Sequence, residues 1–539
     1  MKPSMLLLTF LSLLAAPSFL LAVELSENQK LSDLNQLVYT MESGYGPLKY
    51  KATKGMDIAT LKAKYAEKAK STKSNAEFYY LIKQFISEFH DSHFRAAIPS
   101  DVVAEIPVMT DLVEGKILID TIDRNELAEK DFPFSKGDEV VTINGKSAPE
   151  YLKEMASYLG SGYQLTELRR AAQTVFFRPA AAVPVPNEKT LKVTIRRGLT
   201  SSIEAAELTW KVKGNPLDEK FPFIGTRFSR PFWDLSIPND FAGSTRAEKS
   251  YKCSGNTRIA VPQNAIKIIE EPFVAYYHPT PIGNVGYLRI PHYYWRKEGS
   301  SDLENKDYEE KVFSQYEYAI KKLEENTVGL IIDQDHNCGG SVFWLEKLAS
   351  LFMDKPFKPL QFRFLASKSQ LLEIMTWEKE VAKNSLEAEA FKEVLDLVKT
   401  DWQNGEFLTT KQTSFRGSQY VNPSYTHYTK PIVMLIDEMS GSGGDAFPSM
   451  MKGFGRAKLV GTRTIGAGGH VVPAPALNYS GITVEMTKSL FYRPDGVEVE
   501  NNGAVPDFAY SPTREDFMYE YRNYQKFYLE KLAEVIAAK

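Results

Sequence analysis

The sequence predicts a multidomain α/β protein, and three patterns carry that expectation. Apolar residues recur at helical spacing before residue 100, short strands of alternating character follow to about Gly214, and strands alternate with helices after Gly283. With 539 residues, 43% hydrophobic and 25% charged, the chain can fill several ordinary cores and shows no bulk disorder. Its formal net charge is −3 and its seven histidines are scattered, so it lacks the extended basic face that neutralises phosphates, and nucleic acid is not an expected partner.

Residues 1–22 read as an export signal. Lys2 supplies positive charge, Met5 to Leu14 is apolar, and the small residues Ala15, Ala16 and Ala22 follow, with cleavage expected after Ala22. A membrane anchor is the alternative, because Met5 to Val23 approaches spanning length, but Pro17 and Ser18 interrupt it. The expectation is an exported protein, periplasmic or extracellular, with no stable membrane anchor once the signal is removed. Cys253 and Cys338 are the only cysteines, so at most one bridge forms and the fold must rest on its cores.

Residues 23–100 form the helical region, with Phe78, Leu81, Ile82, Phe85, Ile86 and Phe89 on one stripe, and end in EFHDSHF, Glu88 to Phe94. Residues 101–214 switch to strands such as Lys116 to Ile122, Glu139 to Ile143 and Thr190 to Arg196. The stretch KGDEVVTINGK, Lys136 to Lys146, puts a Gly-Asp turn before a strand and an Asn-Gly turn after it, a local pattern that PDZ domains also carry. Ala180 to Asn187, rich in Pro and Ala, is expected to be an exposed loop, and residues 215–272 an irregular connection. In residues 273–512 the predicted order is strand Val285 to Ile290, helix Tyr308 to Glu325, strand Val328 to Asp333, helix Val342 to Phe352, strand Pro431 to Asp437 and helix Ala446 to Phe454. Residues 367–404 look like inserted helices, and residues 513–539 close the chain as one helix.

The chemistry concentrates after two apolar strands. PIVMLID is followed by EMSGSGGDAF, Glu438 to Phe447, where small residues surround Ser442 at a turn into a helix. There the unpaired amides and dipole of a helix start can stabilise developing negative charge. VGLIIDQDHNCGGS, Val328 to Ser341, is the second such turn, which makes Gly339, Gly340 and Gly443 candidates for an oxyanion hole. Taken singly, Ser442 reads as a helix cap and the glycines as ordinary turns. Pro448 is expected near enough to the helix start to cost little.

These stretches resemble peptidase family S41, the tricorn-type and carboxy-terminal processing enzymes. The matching pieces are GNVGYLRIP, GLIIDQDHNCGGS, SGSGGDAF followed by GFGRAKLVGTRTIGAGG, and ENNGAVPD at Glu500 to Asp507. The resemblance implies a crotonase-like α/β peptidase core with an N-terminal helical region and an inserted PDZ-like β-rich domain. It also implies peptide-bond hydrolysis through an acyl-enzyme, with no metal or organic cofactor. One departure matters: the processing enzymes place a basic lysine where this chain has Ala467, and alanine takes no proton. The tricorn branch and the chlamydial protease-like activity factor subgroup, which the chain looks closest to, pair the serine with an upstream histidine and a downstream glutamate. That resemblance carries over to His93 and Glu500, with Ser442 as nucleophile and Ser92 as an auxiliary hydrogen-bonding group. It further implies a homodimer and a self-processing precursor in which residues 215–272 fill the cleft.

Alone, His93 reads as a surface or capping histidine and Glu500 as a solvated carboxylate; only their conjunction raises them. His90 and His93 stand three apart, but no HExxH pattern or cysteine pair accompanies them, so no metal is expected. His292, His336 and His470 are expected to be structural or near substrate, and Cys338 to be packing. The rival of another class is a protein that binds peptides or hydrophobic ligands on the same fold without cleaving them.

Overall fold

The computed structural model describes residues 24–98, 100–198, 200–214, 257–296, 302–380 and 386–538. Its centre is a seven-stranded sheet whose spatial order follows the chain: Ile266–Ile269, Ala275–Thr280, Gly283–Arg289, Gly329–Asp333, Ile432–Ile436, Lys458–Gly461 and Phe508–Ala509. The first two junctions are antiparallel and the remaining four parallel. Parallel strands are covered on both faces, and Gly329–Asp333 and Ile432–Ile436 are buried throughout. Leu330, Ile332, Ile432, Met434 and Ile436 face the cluster that holds Val312, Tyr316, Leu323, Ala446 and Met450 from the covering helices. The alternate residues Ile331, Val433 and Leu435 face Tyr524, Tyr528 and Leu532 of the last helix.

That last helix differs from expectation. It is split into Arg514–Met518 and Arg522–Ala537, separated where Glu520 and Tyr521 both take positive φ. The expected inserted helices are present as Lys368–Glu380 and Leu386–Gln403.

Four helices, Glu27–Gly44, Leu48–Thr53, Ile58–Ser71 and Asn75–Ser87, make the N-terminal region. Their apolar cluster includes Ile482, Val484 and Met486, and Arg95–Ala97 pairs with Thr483–Thr487, so these helices share a core with the later chain. The β-rich module joins Val108–Val113, Lys116–Ile122, Glu139–Ile143, Thr190–Arg196 and Ile203–Thr209 in sequence order. Asn144 and Gly145 take φ of 46° and 81°, the left-handed pair that an Asn-Gly hairpin turn requires.

Two expectations need correction. Ala180, Ala182 and Val183 are fully buried in the module's core rather than exposed, because small side chains let this Pro-rich stretch lie flat, with the Ala180 amide donating to the Val102 carbonyl at 2.8 Å. Within residues 215–272, Ile266–Ile269 is an edge strand of the main sheet, and residues 215–256 lie outside the described residues, as do the export signal and Cys253. Among the described residues no helix is long and apolar enough to cross a membrane.

Candidate active site

Asp333 and Leu435 are register partners on parallel neighbours, so the turns after both strands leave the same edge of the sheet. Ser442 follows the second strand as the N-cap of helix Gly443–Gly453, with φ 60° and ψ −112°. A non-glycine residue in that conformation carries about 1–3 kcal/mol of strain, which the surroundings must over-determine. They do so here: the Ser442 amide donates to Asp445 Oδ2 (2.6 Å), the Gly441 amide to the Asn337 carbonyl (3.0 Å) and Ser440 Oγ to the Gln334 carbonyl (2.7 Å). Ser442 is fully buried, and its Oγ makes no hydrogen bond within the described residues.

The helix begins three residues before the expected Ala446, which puts Pro448 inside it rather than in its first turn. A proline there cannot serve the carbonyl four residues back. The orphaned Gly444 carbonyl accepts instead from Gln334 Nε2 at 2.8 Å.

The two glycine turns touch. A Cβ on Gly443 would lie 3.1 Å from Gly339 Cα and 3.2 Å from the Gly340 nitrogen. Gly340, at φ +141°, is held as a bridge to Tyr293, through Tyr293 N–H to the Gly339 carbonyl (2.7 Å) and Ser341 N–H to the Tyr293 carbonyl (2.8 Å). The amides of Gly340 and Gly443 meet no acceptor among the described residues. Gly339 departs from expectation, because its amide already donates to Asn337 Oδ1 at 2.8 Å. Of the three candidate glycines, two keep amides without an acceptor among the described residues.

Asp445 knits this elbow to the segment that holds Ala467. Its carboxylate accepts from the amides of Ser442, Gly466 (2.8 Å) and Ala467 (2.9 Å) and from the Thr464 hydroxyl. Burial pushes it up to about 6 against those four hydrogen bonds. The next amide, Gly468, donates to Glu500 Oε2 at 2.9 Å. Glu500 is fully buried; desolvation and the neighbouring Asp91 carboxylate push it up to about 7 despite an ion pair between its Oε1 and Lys51.

His93 sits just past helix Asn75–Ser87, its ring fully buried. Asp91 fixes that loop, accepting from the His93 amide (2.8 Å), the Tyr45 hydroxyl (2.9 Å) and Thr487 Oγ1 (2.8 Å). His93 and His470 are close enough to repel each other's positive charge; burial first, then Lys488 and His93, pushes His470 down to about 3. Ser442, Glu500 and His93 are thus each tied to the stretch 464–470 or its neighbour Thr487, although they enter from three distant parts of the chain. Ser92, the expected auxiliary group, is buried, and its Oγ makes no hydrogen bond among the described residues.

His336 is paired with Asp437 at 2.5 Å and, through burial, pushed down to about 3, which suits a structural neutral ring. His292 is likewise pushed down to about 3 by burial. Cys338 is disulfide-bonded, so its sulfur is no nucleophile. Sequence reasoning missed Lys51, and it assigned no part to Asp91 or Asp445. Asp445 was findable from the Ser-x-x-Asp cap spacing, whereas Lys51 in LKYKAT has no local signal and reads as a solvated charge.

Comparison with known proteins agrees with this architecture. Residues 284–510 match the model of peptidase family S41, and residues 102–220 that of the PDZ domain. The chain is 27% identical to a protein of Chlamydia muridarum, over 99% of this chain and 96% of that one. A Chlamydia pneumoniae protein is 33% identical over 254 residues, 43% of this chain and 40% of the other. Among solved structures, mature CPAF shares the fold with TM-score 0.79 at 23% identity, covering 95% of this chain and 98% of that one. Mature CPAF complexed with lactacystin gives the same TM-score and identity, over 95% and 99%.

Proposed function

With residues 284–510 making this chain a serine-type peptidase of family S41, we propose that it is an exported endopeptidase acting through Ser442, His93 and Glu500. The observation that carries the reading is the strained backbone of Ser442, φ 60° and ψ −112°, followed directly by Gly443, whose unengaged amide lies in the turn that touches Gly340. In this mechanism His93 takes the Ser442 proton as Oγ attacks the scissile carbonyl, and Glu500 orients the imidazole and stabilises the imidazolium. The amides of Gly340 and Gly443 bind the tetrahedral oxyanion. His93 then protonates the leaving amine, and water hydrolyses the acyl-enzyme by the reverse sequence of proton transfers. Alanine at 467 supports the histidine route, because its amide binds Asp445 and its side chain offers no base.

Protein substrates follow from the peptidase domain. Export is proposed from residues 1–22, and removal of residues 215–272 on activation and a homodimeric state from the family resemblance; none requires nucleic acid or a membrane anchor.

The test is labelling by a fluorophosphonate probe, whose phosphorus a competent serine attacks with loss of fluoride. Wild type is expected to label, Ser442→Ala not at all, and His93→Ala and Glu500→Gln at rates lower by about 10³-fold or more. Labelling that persists in Ser442→Ala removes the nucleophile, and unchanged rates in His93→Ala remove the base. Because a lactacystin complex is known for the structurally similar mature CPAF, protection of Ser442 by lactacystin is a second readout.

A further inference from the structure

We infer that Lys51 is a positioning residue for the hydrolysis: its ammonium group ties the Glu500 carboxylate to the loop bearing His93 and keeps that carboxylate ionised, resting on the reading of Glu500 as the acidic member of the triad. The geometry begins with the backbone. The Gly46 amide donates to the Thr487 carbonyl at 2.9 Å, and a Cβ on Gly46 would lie 2.7 Å from the Lys488 carbonyl, so this segment presses directly on the chain beside the site. The short helix Leu48–Thr53 that follows therefore starts from a fixed point. It delivers two adjacent side chains to one residue: the Tyr50 hydroxyl donates to the Glu500 carbonyl oxygen at 2.8 Å, and Lys51 Nζ pairs with Glu500 Oε1.

Lys51 is 3% exposed, and its ammonium makes three hydrogen bonds. Besides Glu500 it donates to Asn501 Oδ1 at 2.6 Å and to the His90 carbonyl at 3.1 Å. Asn501 Nδ2 donates to that same His90 carbonyl at 2.8 Å. His90 and Asn501 both take left-handed backbone conformations, with φ of 47° and 59°, which turns the two loops toward one cation. Three stretches of chain thus meet at Nζ, one leading to His93 three residues on and one bearing Glu500 itself.

An ammonium that spends all three protons on hydrogen bonds has no lone pair to accept another, so Lys51 does not replace the family lysine as base. Its effect is electrostatic. Glu500 and Asp91 are buried carboxylates within each other's field, and like charges in a desolvated site resist joint ionisation. A protonated Glu500 neither stabilises an imidazolium nor accepts strongly from one. Lys51 opposes that protonation by its charge and leaves the second oxygen to the Gly468 amide.

The experiment measures fluorophosphonate labelling rate against pH on the full chain for wild type, Lys51→Met, Lys51→Gln, Lys51→Arg and Glu500→Gln, with circular dichroism to certify folding. The acid limb of Lys51→Met is expected to move up by about one to two pH units, slowing labelling at pH 7 about tenfold or more while the rate at pH 9 stays within about threefold of wild type. Lys51→Gln keeps hydrogen bonding without charge and is expected to shift the same way; it carries the test if the methionine variant does not fold. Lys51→Arg is expected to restore the wild-type limb. An unshifted acid limb in the folded methionine or glutamine variant, or an arginine variant shifted as far as they are, overturns the role of Lys51. Those outcomes are distinct from failure of the triad reading, which is seen when Glu500→Gln labels at the wild-type rate at every pH.

Discussion

Arg169 and Lys51 are both buried cations surrounded by oxygen acceptors, one where the β-rich module meets the peptidase core and the other where the N-terminal helices meet it. Arg169, on helix Gln164–Gln173, forks onto Asp111 of strand Val108–Val113 at 2.8 and 2.7 Å and reaches Glu438 at 2.8 Å and Asp437 at 3.4 Å. The same helix binds main chain there, through Thr166 Oγ1 to the Glu438 carbonyl at 2.5 Å. Its carboxylate partners lie four and five residues before Ser442 and hold the approach to the elbow. Lys51 instead binds the side chain proposed to take part in the reaction. A cation on supporting carboxylates stabilises the fold, while one on a working carboxylate sets its proton occupancy.

Arg169→Met is therefore expected to cost the most stability, because Asp111, Asp437 and Glu438, all buried, lose a shared counter-charge. Breaking a buried pair from one side costs about 3–5 kcal/mol. Urea unfolding of Arg169→Met in a Ser442→Ala background, which prevents self-cleavage, measures it. The comparison predicts that folded Arg169→Met keeps the wild-type acid limb in labelling; a shift like that expected for Lys51→Met would erase the distinction between the two junctions.

The unequal legibility of the two junctions has a physical reason. PIVMLID and VGLIID are apolar up to their closing aspartates because both faces of a parallel strand are covered, and the glycine runs after them are needed where the turns touch. Such features are local and can be read from one stretch. The early start of the helix at Gly443 was hidden because two glycines and Pro448 argue against helix, and the compensating amide of Gln334 lies 110 positions away. Lys51 was hidden more deeply: its partner Glu500 is 449 residues on, and nothing in LKYKAT distinguishes a buried lysine from a solvated one. Ala180 to Val183 was misread for the converse reason, since small apolar residues beside proline suit a surface turn and a flat packing stretch equally.

Lys51→Met is expected to cost less stability than Arg169→Met, and the loss should depend on pH. Glu500 is raised to about 7 already, so without Lys51 it can take a proton instead of remaining an unpaired charge. Because its folded value lies above the unfolded one, the penalty grows as pH rises through the folded value and fades below it. The expected loss is about 1–2 kcal/mol at pH 8, shrinking toward pH 6. Urea unfolding at both values checks this, and a loss equal at the two would mean that Glu500 stays charged in both proteins.

The smallest effect concerns the whole molecule and follows from adding groups of opposite sign. Burial raises Glu500 and Asp335 to about 7 and Asp445 to about 6, so each favours the native state on the acid side and loses that contribution as pH climbs through those values. Burial lowers His292, His336 and His470 to about 3, so each contributes stability above its unfolded value near 6.5 and loses it as pH falls. Asp437 is held well below the usual carboxylate range by His336 and Arg169 despite its burial, and acts only at pH lower than this window. Above about pH 6.5 the raised carboxylates govern, so thermal stability of Ser442→Ala is expected to fall from about pH 6.5 to pH 8, while below about pH 6 the two sets nearly cancel and leave a broad plateau. Asp335 is ion-paired with Arg258 at 2.5 Å, and Glu500 with Lys51. Glu500→Gln in the Ser442→Ala background should flatten the fall above about pH 6.5 and make stability rise more steeply with pH, by about one proton, between about pH 5 and 6.5; a stability that rises steadily to pH 8 would show that these carboxyl groups are not raised.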